Sequence, residues 1–242
     1  MQPNFARLLE QSGPFSEMLG NLKQSNPDIP WYPYGSMSNF GHIAPLMDAA
    51  DHIFSGGKSI ADIGAADGDL AFFMESLGNN CDIYDFGPTN YNGLRGAHFL
   101  KERLRSKVGI YERDLDSQFS MTGEYDLIFF LGILYHLKNP YYVLEKLCQH
   151  SEHLILSTRI VRHFGIGQPD CSSIPAAYFL GPIELNNDST NYWLFTKTGL
   201  ERILDRTGWS VIAMRTVGDT MASNPHDASH DERAFALVRR KY

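Results

Sequence analysis

The chain has 242 residues, 43% of them hydrophobic, and its 28 acidic and 21 basic residues give a formal net charge of -7. This length and composition predict one sizeable α/β core with accessory segments. The acidic balance argues against a global positive field that would attract nucleic acid or an anionic membrane surface. No run of residues approaches the roughly 20 apolar positions that span a bilayer, so we expect no membrane partner.

The cysteines indicate the cellular compartment, and the N-terminal region indicates the domain organisation. Three cysteines, widely separated and without C-x-x-C pairing, indicate neither a disulfide framework nor a zinc site, so we expect a cytoplasmic protein without a metal. Residues 1–26 have helical spacing that Gly13-Pro14 interrupts, a proline- and aromatic-rich loop follows, and a helix is predicted from Ser38 to Gly56. We therefore predict an N-terminal helical arm and aromatic loop over residues 1–57 and a main domain over residues 58–242.

Strand and helix patterns alternate after residue 58. Strands are predicted at 59–63, 81–85, 108–112, 125–131 and 153–159, with helices at about 68–77, 91–105 and 140–150. The segments WSVIAMRTV and RAFALVRRK bring the predicted strands to seven, and residues about 160–196 break the rhythm as a lid insertion. This alternation predicts an α/β fold with a doubly wound, seven-stranded, mostly parallel sheet.

The segment DIGAADGD, residues 62–69, joins the first of these strands to the following helix. In an open parallel sheet such a turn lies beyond the carboxyl end of the strand, where ligands bind, and Gly64 and Gly68 let a ligand approach the backbone. The spacing differs from the G-x-G-x-x-G of nicotinamide sites, and Asp62, Asp67 and Asp69 would repel a pyrophosphate. We expect a cationic ligand here, which disfavours a nicotinamide dehydrogenase.

These residues resemble the first motif of class I S-adenosylmethionine-dependent methyltransferases, with Ala66 in place of the usual third glycine. The resemblance implies a Rossmann-like methyltransferase domain, the cofactor S-adenosyl-L-methionine, and an acid, Asp85, on the ribose hydroxyls with Phe86 beside the adenine. The residues that it implies for cofactor binding are Tyr34, Asp62, Gly64, Ala65, Ala66, Gly68, Asp85, Phe86, Asp114, Leu115, Leu131 and Gly132. Alternatives from the residues alone remain open: Asp85 as a strand-end turn residue, and Asp114 in an Asx turn.

The stretch GILYHLKNP, together with WYPY before the core and NNDSTNYW in the lid, resembles the tRNA 5-carboxymethoxyuridine methyltransferase-like group over roughly residues 30–210. Tyr135 and His136 are predicted at the carboxyl end of the fourth strand, where the substrate would meet the methyl group. Tyr135 would position the sulfonium or methyl, and His136, whose unperturbed pKa suits a base at neutral pH, would be a general base. The alternative for His136 is a structural histidine bound to a backbone carbonyl. Asn187, Asn191 and Trp193 either line the substrate side of the lid or pack the lid onto the core.

We therefore predict methyl transfer from S-adenosyl-L-methionine to O or N of a small-molecule acceptor. One alternative is a tRNA wobble-uridine carboxymethyl transferase that uses carboxy-S-adenosylmethionine. It is disfavoured because only Lys23 offers a cation in the short N-terminal extension, and because the acidic total argues against nucleic acid as a partner. A second alternative is a non-catalytic partner subunit with this fold, which has no need of the acids at the strand ends. The N-terminal arm either covers the chain's own active site or pairs two copies in a homodimer.

Overall fold

The computed structural model describes residues 3–242, with the backbone alone at residues 3, 48 and 49, so that Met1 and Gln2 of the predicted arm lie outside the described residues. The chain divides into two compact units. Unit 1 comprises the chain up to Phe129 together with residues 150–152, and unit 2 comprises residues 130–149 and 153–242. The predicted boundary at residue 57 and the lid limits of 160–196 stay predictions.

Unit 1 begins with α1, Pro3–Gln24, which runs through Pro14 without the predicted break. A proline inside a helix removes one hydrogen bond, and burial of Phe5, Leu8 and Leu19 to at most 2% exposure holds the helix nonetheless. The helix predicted from Ser38 is also different. It is a four-residue helix, α2, Phe40–Ile43, flanked by 3-10 turns at Ser36–Asn39, Ala44–Ala49 and Asp51–Phe54. Pro45 has no N–H to continue the helix.

Four strands form the sheet of unit 1: β1 (Ser59–Ile63), β2 (Asn80–Asp85), β3 (Gly109–Glu112) and β4 (Tyr125–Leu131), whose last two residues belong to unit 2. Their order is β3-β2-β1-β4 and every pairing is parallel, as predicted. Helices α3 (Asp69–Ser76) and α4 (Arg95–Leu104) connect them. Because the strands are parallel, the residues after β1, β2 and β3 meet at one edge of the sheet.

Unit 2 contains most of α5 (Pro140–His150) and β5 (Ser151–Ile160), then β6 (Ala177–Phe179), β7 (Trp193–Phe195), α6 (Lys197–Arg206), β8 (Trp209–Gly218) and β9 (Glu232–Arg240). Strand β9 pairs antiparallel with β5 and β8, β7 pairs parallel with β5, and β6 pairs antiparallel with β7. All seven predicted strands are present, which confirms the fold class. The short strands β6 and β7 are additional and lie within the predicted lid. None of the helices in residues 3–242 has the length and apolar character that crossing a membrane requires.

Candidate functional site

The loop between β1 and α3 is a tight backbone cradle in unit 1. Its backbone is left-handed at Gly64, Ala66 and Gly68, with φ of 68°, 58° and 84°. The amide of Gly64 donates to the carbonyl of Tyr84 on the neighbouring strand at 2.8 Å, which ties the loop to β2. A Cβ at Gly68 would lie 2.7 Å from Cδ1 of Ile83 and 2.8 Å from Cε2 of Phe72, and the left-handed φ would strain any other residue, so glycine is strongly favoured at this position.

Asp85, the last residue of β2, supports this loop. Its carboxylate accepts hydrogen bonds from the amide of Ala66 at 3.0 Å, the amide of Phe86 at 2.7 Å and the side chain of Asn90 at 3.0 Å. Burial raises the pKa of Asp85, and these three hydrogen bonds oppose the shift. A carboxylate has about four acceptor positions. Asp85 therefore acts as a turn residue and still retains acceptor capacity for a ligand.

Asp62 provides a second acid at the same loop. Its side chain is 4% exposed, and Oδ2 has no hydrogen-bond partner among the described residues. Burial raises the pKa of Asp62 to about 8, the charge of Asp85 adds to the shift, and a hydrogen bond from the backbone of Ala71 opposes it. Buried polar atoms are nearly always paired, so this oxygen is a position where a ligand donor or cation fits.

The other two acids of the loop already have a cation. Nζ of Lys23 lies 2.9 Å from Oδ2 of Asp67 and 2.8 Å from Oδ1 of Asp69, and all three side chains are at most 15% exposed. Asp67 also accepts hydrogen bonds from the amide of Tyr32 at 3.0 Å and from the side chain of Asn92 at 2.7 Å. Lys23, the one candidate cation of the N-terminal extension, is thus the counter-ion of the loop rather than a group directed at a ligand.

The aromatic loop of residues 27–37 is fastened to the same region through Tyr32. The hydroxyl of Tyr32 accepts a hydrogen bond from the amide of Tyr91 at 2.9 Å, and the two rings are 5.6 Å apart. Tyr34, the residue predicted to contact the cofactor, has an 83% exposed side chain. Its role stays a prediction, and Tyr32 is the tyrosine of this loop that contacts the segment after β2.

Asp114 and Leu115, two further cofactor candidates of unit 1, follow β3. Oδ1 of Asp114 accepts a hydrogen bond from the amide of Asp116 at 2.9 Å, which is the Asx turn left open by the sequence. Leu115 is buried. Glu112 is opposite Asp85 in the ladder, and a Cβ at Gly87 would lie 2.9 Å from its Oε1. The cofactor roles of Asp114, Leu115, Ala65 and Phe86 stay predictions.

The catalytic candidates lie in unit 2, in a 3-10 turn at Leu134–His136 that follows β4. Gly132 enters this turn with φ of 76° and donates its amide to the carbonyl of Ser157 at 2.9 Å. Tyr135 is buried, and its carbonyl accepts from the amide of Tyr192 at 2.8 Å. The guanidinium carbon of Arg233 lies 5.9 Å from the centre of the Tyr135 ring. The cofactor role predicted for Leu131 and Gly132 stays a prediction.

His136 is held in one tautomer by the lid. Its Nδ1 lies 3.2 Å from the carbonyl oxygen and 3.1 Å from Oγ1 of Thr190. A carbonyl oxygen only accepts, so Nδ1 carries the proton and the lone pair is on Nε2. Burial lowers the pKa of His136, and the hydrogen bond with Thr190 opposes the shift. The backbone contact expected of a structural histidine is therefore also the contact that leaves Nε2 basic at neutral pH.

A cationic pair lies beside Tyr135. Arg159, 3% exposed, is the ladder partner of Arg233, and Asp231 forms an ion pair with each of the two guanidinium groups. Two cations therefore share this carboxylate next to the Tyr135 ring. Side chains alternate between the two faces of β9, so Arg233 and Phe235 share one face. Nothing in the sequence indicates that Arg233 on this face contacts Tyr135.

The lid residues differ in their surroundings. Asn191 is buried, donates from Nδ2 to the carbonyl of Leu185 at 3.2 Å, and has no described partner for Oδ1. Asn187 has a left-handed backbone with φ of 56°. Trp193 packs on Phe179 with ring centres 4.4 Å apart. Substrate contacts for these residues stay predictions. No individual role was predicted for Tyr32, Asn90, Asn92, Thr190 or Arg233. Tyr32 and Thr190 lie within the motifs WYPY and NNDSTNYW, and Asn90 and Asn92 lie within the polar run TNYN after β2.

Comparison with known proteins gives a partial sequence match and an extensive structural one. No family model matches the chain. It is 29% identical over 138 residues to a tRNA U34 carboxymethyltransferase of Campylobacter concisus, and 36% identical over 114 residues to the protein of the same name from Campylobacter hominis. These matches cover 54% and 46% of this chain but only 47% and 36% of the relatives, so the chain spans less than half of their length.

The crystal structure of the N-terminal domain of EvdMO1 with SAH bound superposes with a TM-score of 0.57 at 18% identity, covering 93% of this chain and 96% of that domain. Likeness at this identity establishes the fold. Both of the Campylobacter relatives are named as enzymes that act on tRNA. The prediction that nucleic acid is not a partner of this chain is therefore not supported.

Proposed function

Because the chain has the fold of class I S-adenosylmethionine-dependent methyltransferases, we propose that it binds S-adenosyl-L-methionine and transfers the methyl group to O or N of a small-molecule acceptor. The observation that carries the proposal is the buried Oδ2 of Asp62 beside the glycine loop, which has no hydrogen-bond partner in the part of the chain that the structure describes. Such an atom fits a cationic or hydrogen-bond-donating ligand. We place the reaction in the cytoplasm, in keeping with the free thiols of Cys81, Cys148 and Cys171.

The residues of unit 1 suit the polar groups of this cofactor. Asp85 retains acceptor capacity for a diol, and Asp62 would accept from an ammonium group. Gly64, Ala66 and Gly68, the left-handed positions of the loop, carry no long side chain that would stand between the loop and a ligand. When bound, the cofactor supplies a methyl group that is already activated by the sulfonium charge. The protein then has to align the acceptor and, where needed, remove its proton.

We assign these tasks to the 3-10 turn of unit 2. His136 would remove the acceptor proton with Nε2, since Thr190 occupies Nδ1. Arg233 lies over the Tyr135 ring, and the amide of Tyr192 donates to the backbone carbonyl of Tyr135. An electron-rich ring of this kind attracts a cation such as a sulfonium.

Calorimetric titration with S-adenosylmethionine and S-adenosylhomocysteine tests the proposal. Each titration at pH 7 is repeated in two buffers of different ionisation enthalpy. S-adenosylmethionine, whose positive charge stabilises the Asp62 carboxylate, is expected to release a proton on binding, because the pKa of that group is about 8 without a ligand. The Asp62→Asn variant should bind without this proton release. Absence of binding by both adenosyl ligands would instead support a non-catalytic subunit.

Carboxymethyl transfer from carboxy-S-adenosylmethionine is a second candidate, and Arg233 favours it. The sequence showed no cation for the extra carboxylate, whereas the structure has a guanidinium beside Tyr135 whose counter-ion, Asp231, is shared with Arg159. Two relatives named tRNA U34 carboxymethyltransferases also support it, with tRNA as the acceptor.

Competition between the two cofactors separates the candidates. Under methyl transfer, S-adenosylmethionine should bind at least as tightly as the carboxylated form, and Arg233→Met should change both affinities equally. Under carboxymethyl transfer the carboxylated form should bind more tightly, and Arg233→Met should remove that preference while Arg233→Lys restores part of it. Arg215→Met, on the neighbouring strand β8, is the matched control for loss of a positive charge.

A further inference from the structure

An aromatic face covers the hairpin of β6 and β7. Phe179 on β6 is 72% exposed although its ring centre is only 4.4 Å from that of Trp193, and the Trp193 ring is nearly parallel to that of Phe195, at 14°. Alternate residues of a strand share a face. Leu194 therefore points to the opposite side, into an apolar cluster with Val161 and Leu185. Exposed aromatic rings on an edge strand commonly mark a binding surface.

Two residues of this face, Trp193 and Phe195, form one wall of a cleft with α5. The cleft, of about 430 Å³, is lined by Lys138, Tyr141, Tyr142, Glu145, Trp193 and Phe195, among others. Its size falls in the range of small-ligand pockets. Four of these six residues are aromatic, and flat rings stack favourably on a flat ligand.

Trp193, which lines this cleft, has an unused hydrogen-bond donor. Nε1 is buried and has no hydrogen-bond partner among the described residues. The other two indole groups of the chain donate to carbonyls, Trp31 to that of Asn26 at 3.0 Å and Trp209 to that of Leu144 at 3.1 Å. An indole N–H is a donor only, so its missing partner is an acceptor atom. The ligand that fits the cleft thus carries an oxygen or nitrogen acceptor beside a flat ring.

The cleft is joined to the catalytic candidates through the backbone. Tyr192, the residue before Trp193, donates its amide to the carbonyl of Tyr135 at 2.8 Å. Nζ of Lys138, two residues after His136, lies 5.6 Å from the centre of the Tyr192 ring. A ligand bound at Trp193 is therefore held next to the turn that carries Tyr135 and His136.

We propose that this cleft binds a planar aromatic or heteroaromatic ring of the acceptor, with a carbonyl or ether oxygen of that ring system on Nε1 of Trp193. The identity of the ligand as acceptor rests on the proposed function, while the binding site itself does not. Trp193 and Phe195 contribute the flat surface, and the indole N–H selects the edge of the ring that carries the acceptor atom.

Nuclear magnetic resonance of the ¹⁵N-labelled full chain tests the site without cofactor. The spectrum contains three indole signals, and the one missing from Trp193→Phe belongs to Trp193. Acetophenone, an aromatic ring with a carbonyl, is the probe. It should shift the Trp193 signal with a dissociation constant in the millimolar range, about -4 kcal/mol, which suits a ligand of its size. The signals of Trp31 and Trp209, whose N–H groups are paired, should stay in place.

Two probes of similar size serve as controls. Cyclohexyl methyl ketone keeps the carbonyl without the aromatic ring, and ethylbenzene keeps the ring without the carbonyl, so each should bind at least five times more weakly. Phe195→Leu keeps an apolar side chain in the lining of the cleft and should weaken acetophenone binding several-fold without moving the Trp209 signal, which reports an intact fold. No shift at Trp193, equal shifts with all three compounds, or shifts at all three indoles would overturn the proposal. Binding of S-adenosylhomocysteine, measured on the same sample, reports separately on the proposed function.

Discussion

The backbone oxygen of Thr190 lies 3.2 Å from Nδ1 of His136, and Oγ1 of the same threonine lies 3.1 Å from that nitrogen. Asp188 in turn accepts from the hydroxyl of Thr190 at 2.6 Å, so the hydroxyl proton is used and its oxygen faces the histidine as an acceptor. Both contacts require a proton on Nδ1. The lid thereby selects the tautomer in which Nε2 is unprotonated.

We predict that His136→Asn lowers turnover by about 10²- to 10⁴-fold, the usual contribution of a general base, with little change in cofactor affinity. The pKa of His136 is lowered by burial, so wild-type turnover should rise with pH below neutrality and be level above it. The measurement is kcat against pH with an identified acceptor. Thr190→Val, which keeps the backbone acceptor, should lose far less activity. Full turnover in His136→Asn would show that the transfer needs no base here.

Asp85→Ala is predicted to weaken cofactor binding by about 1–3 kcal/mol, because it removes a ligand acceptor and also leaves the amide of Ala66 without its partner. Calorimetry with S-adenosylhomocysteine measures the effect. Asp126→Ala is the matched control. Its carboxylate likewise accepts from a backbone amide, that of Ser59 at 2.8 Å, but at the start of β1 rather than at the loop. Equal losses in both variants would mean that Asp85 acts on folding alone.

Asp62 is predicted to make stability depend on pH. Its pKa is about 8 in the folded chain and about 3.9 when unfolded, so between these values only the folded state holds the proton. The free energy of unfolding should therefore fall by about 1.4 kcal/mol per pH unit from about pH 4 to about pH 8, as far as this group is concerned.

Urea unfolding of the wild type and of Asp62→Asn at pH 5 and pH 7 isolates this contribution. The variant has no titrating group at the position, so its advantage over the wild type should grow by about 3 kcal/mol between the two pH values. Binding of S-adenosylmethionine should reduce the difference, because a cation stabilises the carboxylate. A constant difference at both pH values would contradict the raised pKa.

Lys23→Met is predicted to destabilise the fold by about 3–5 kcal/mol, because it leaves the carboxylates of Asp67 and Asp69 buried without their cation. The midpoint of urea unfolding measures the loss. Lys58→Met is the control, since the pair of Lys58 with Asp126 is longer, at 3.5 Å, and more exposed. The double variant Lys23→Met with Asp69→Asn should recover part of the stability. No recovery would show that the loss comes from the packing of Lys23 on Trp31 instead.

The sequence by itself determined the alternation of strands and helices, since runs such as YDLIFFL are apolar on successive residues only where both faces of a strand are buried. It also determined the glycine loop and the acids at the strand ends, because these signals lie within a few consecutive residues. Proline positions predicted the ends of helices less reliably. Tertiary burial of Phe5 and Leu19 overrode the break expected at Pro14, whereas Pro45 did interrupt the helix predicted from Ser38.

Only the tertiary structure decided which charges meet. Lys23 lies 44 residues from Asp67 along the chain, and Arg233 approaches Tyr135 from a strand at the far end of the sequence. Charge and hydrogen-bond pairing depend on distances in space, which local periodicity does not encode. Likewise, the sequence predicted only that Trp193 belongs to the lid. The pairing of β6 with β7, in which Phe179 is opposite Trp193, decided which ring the indole packs on.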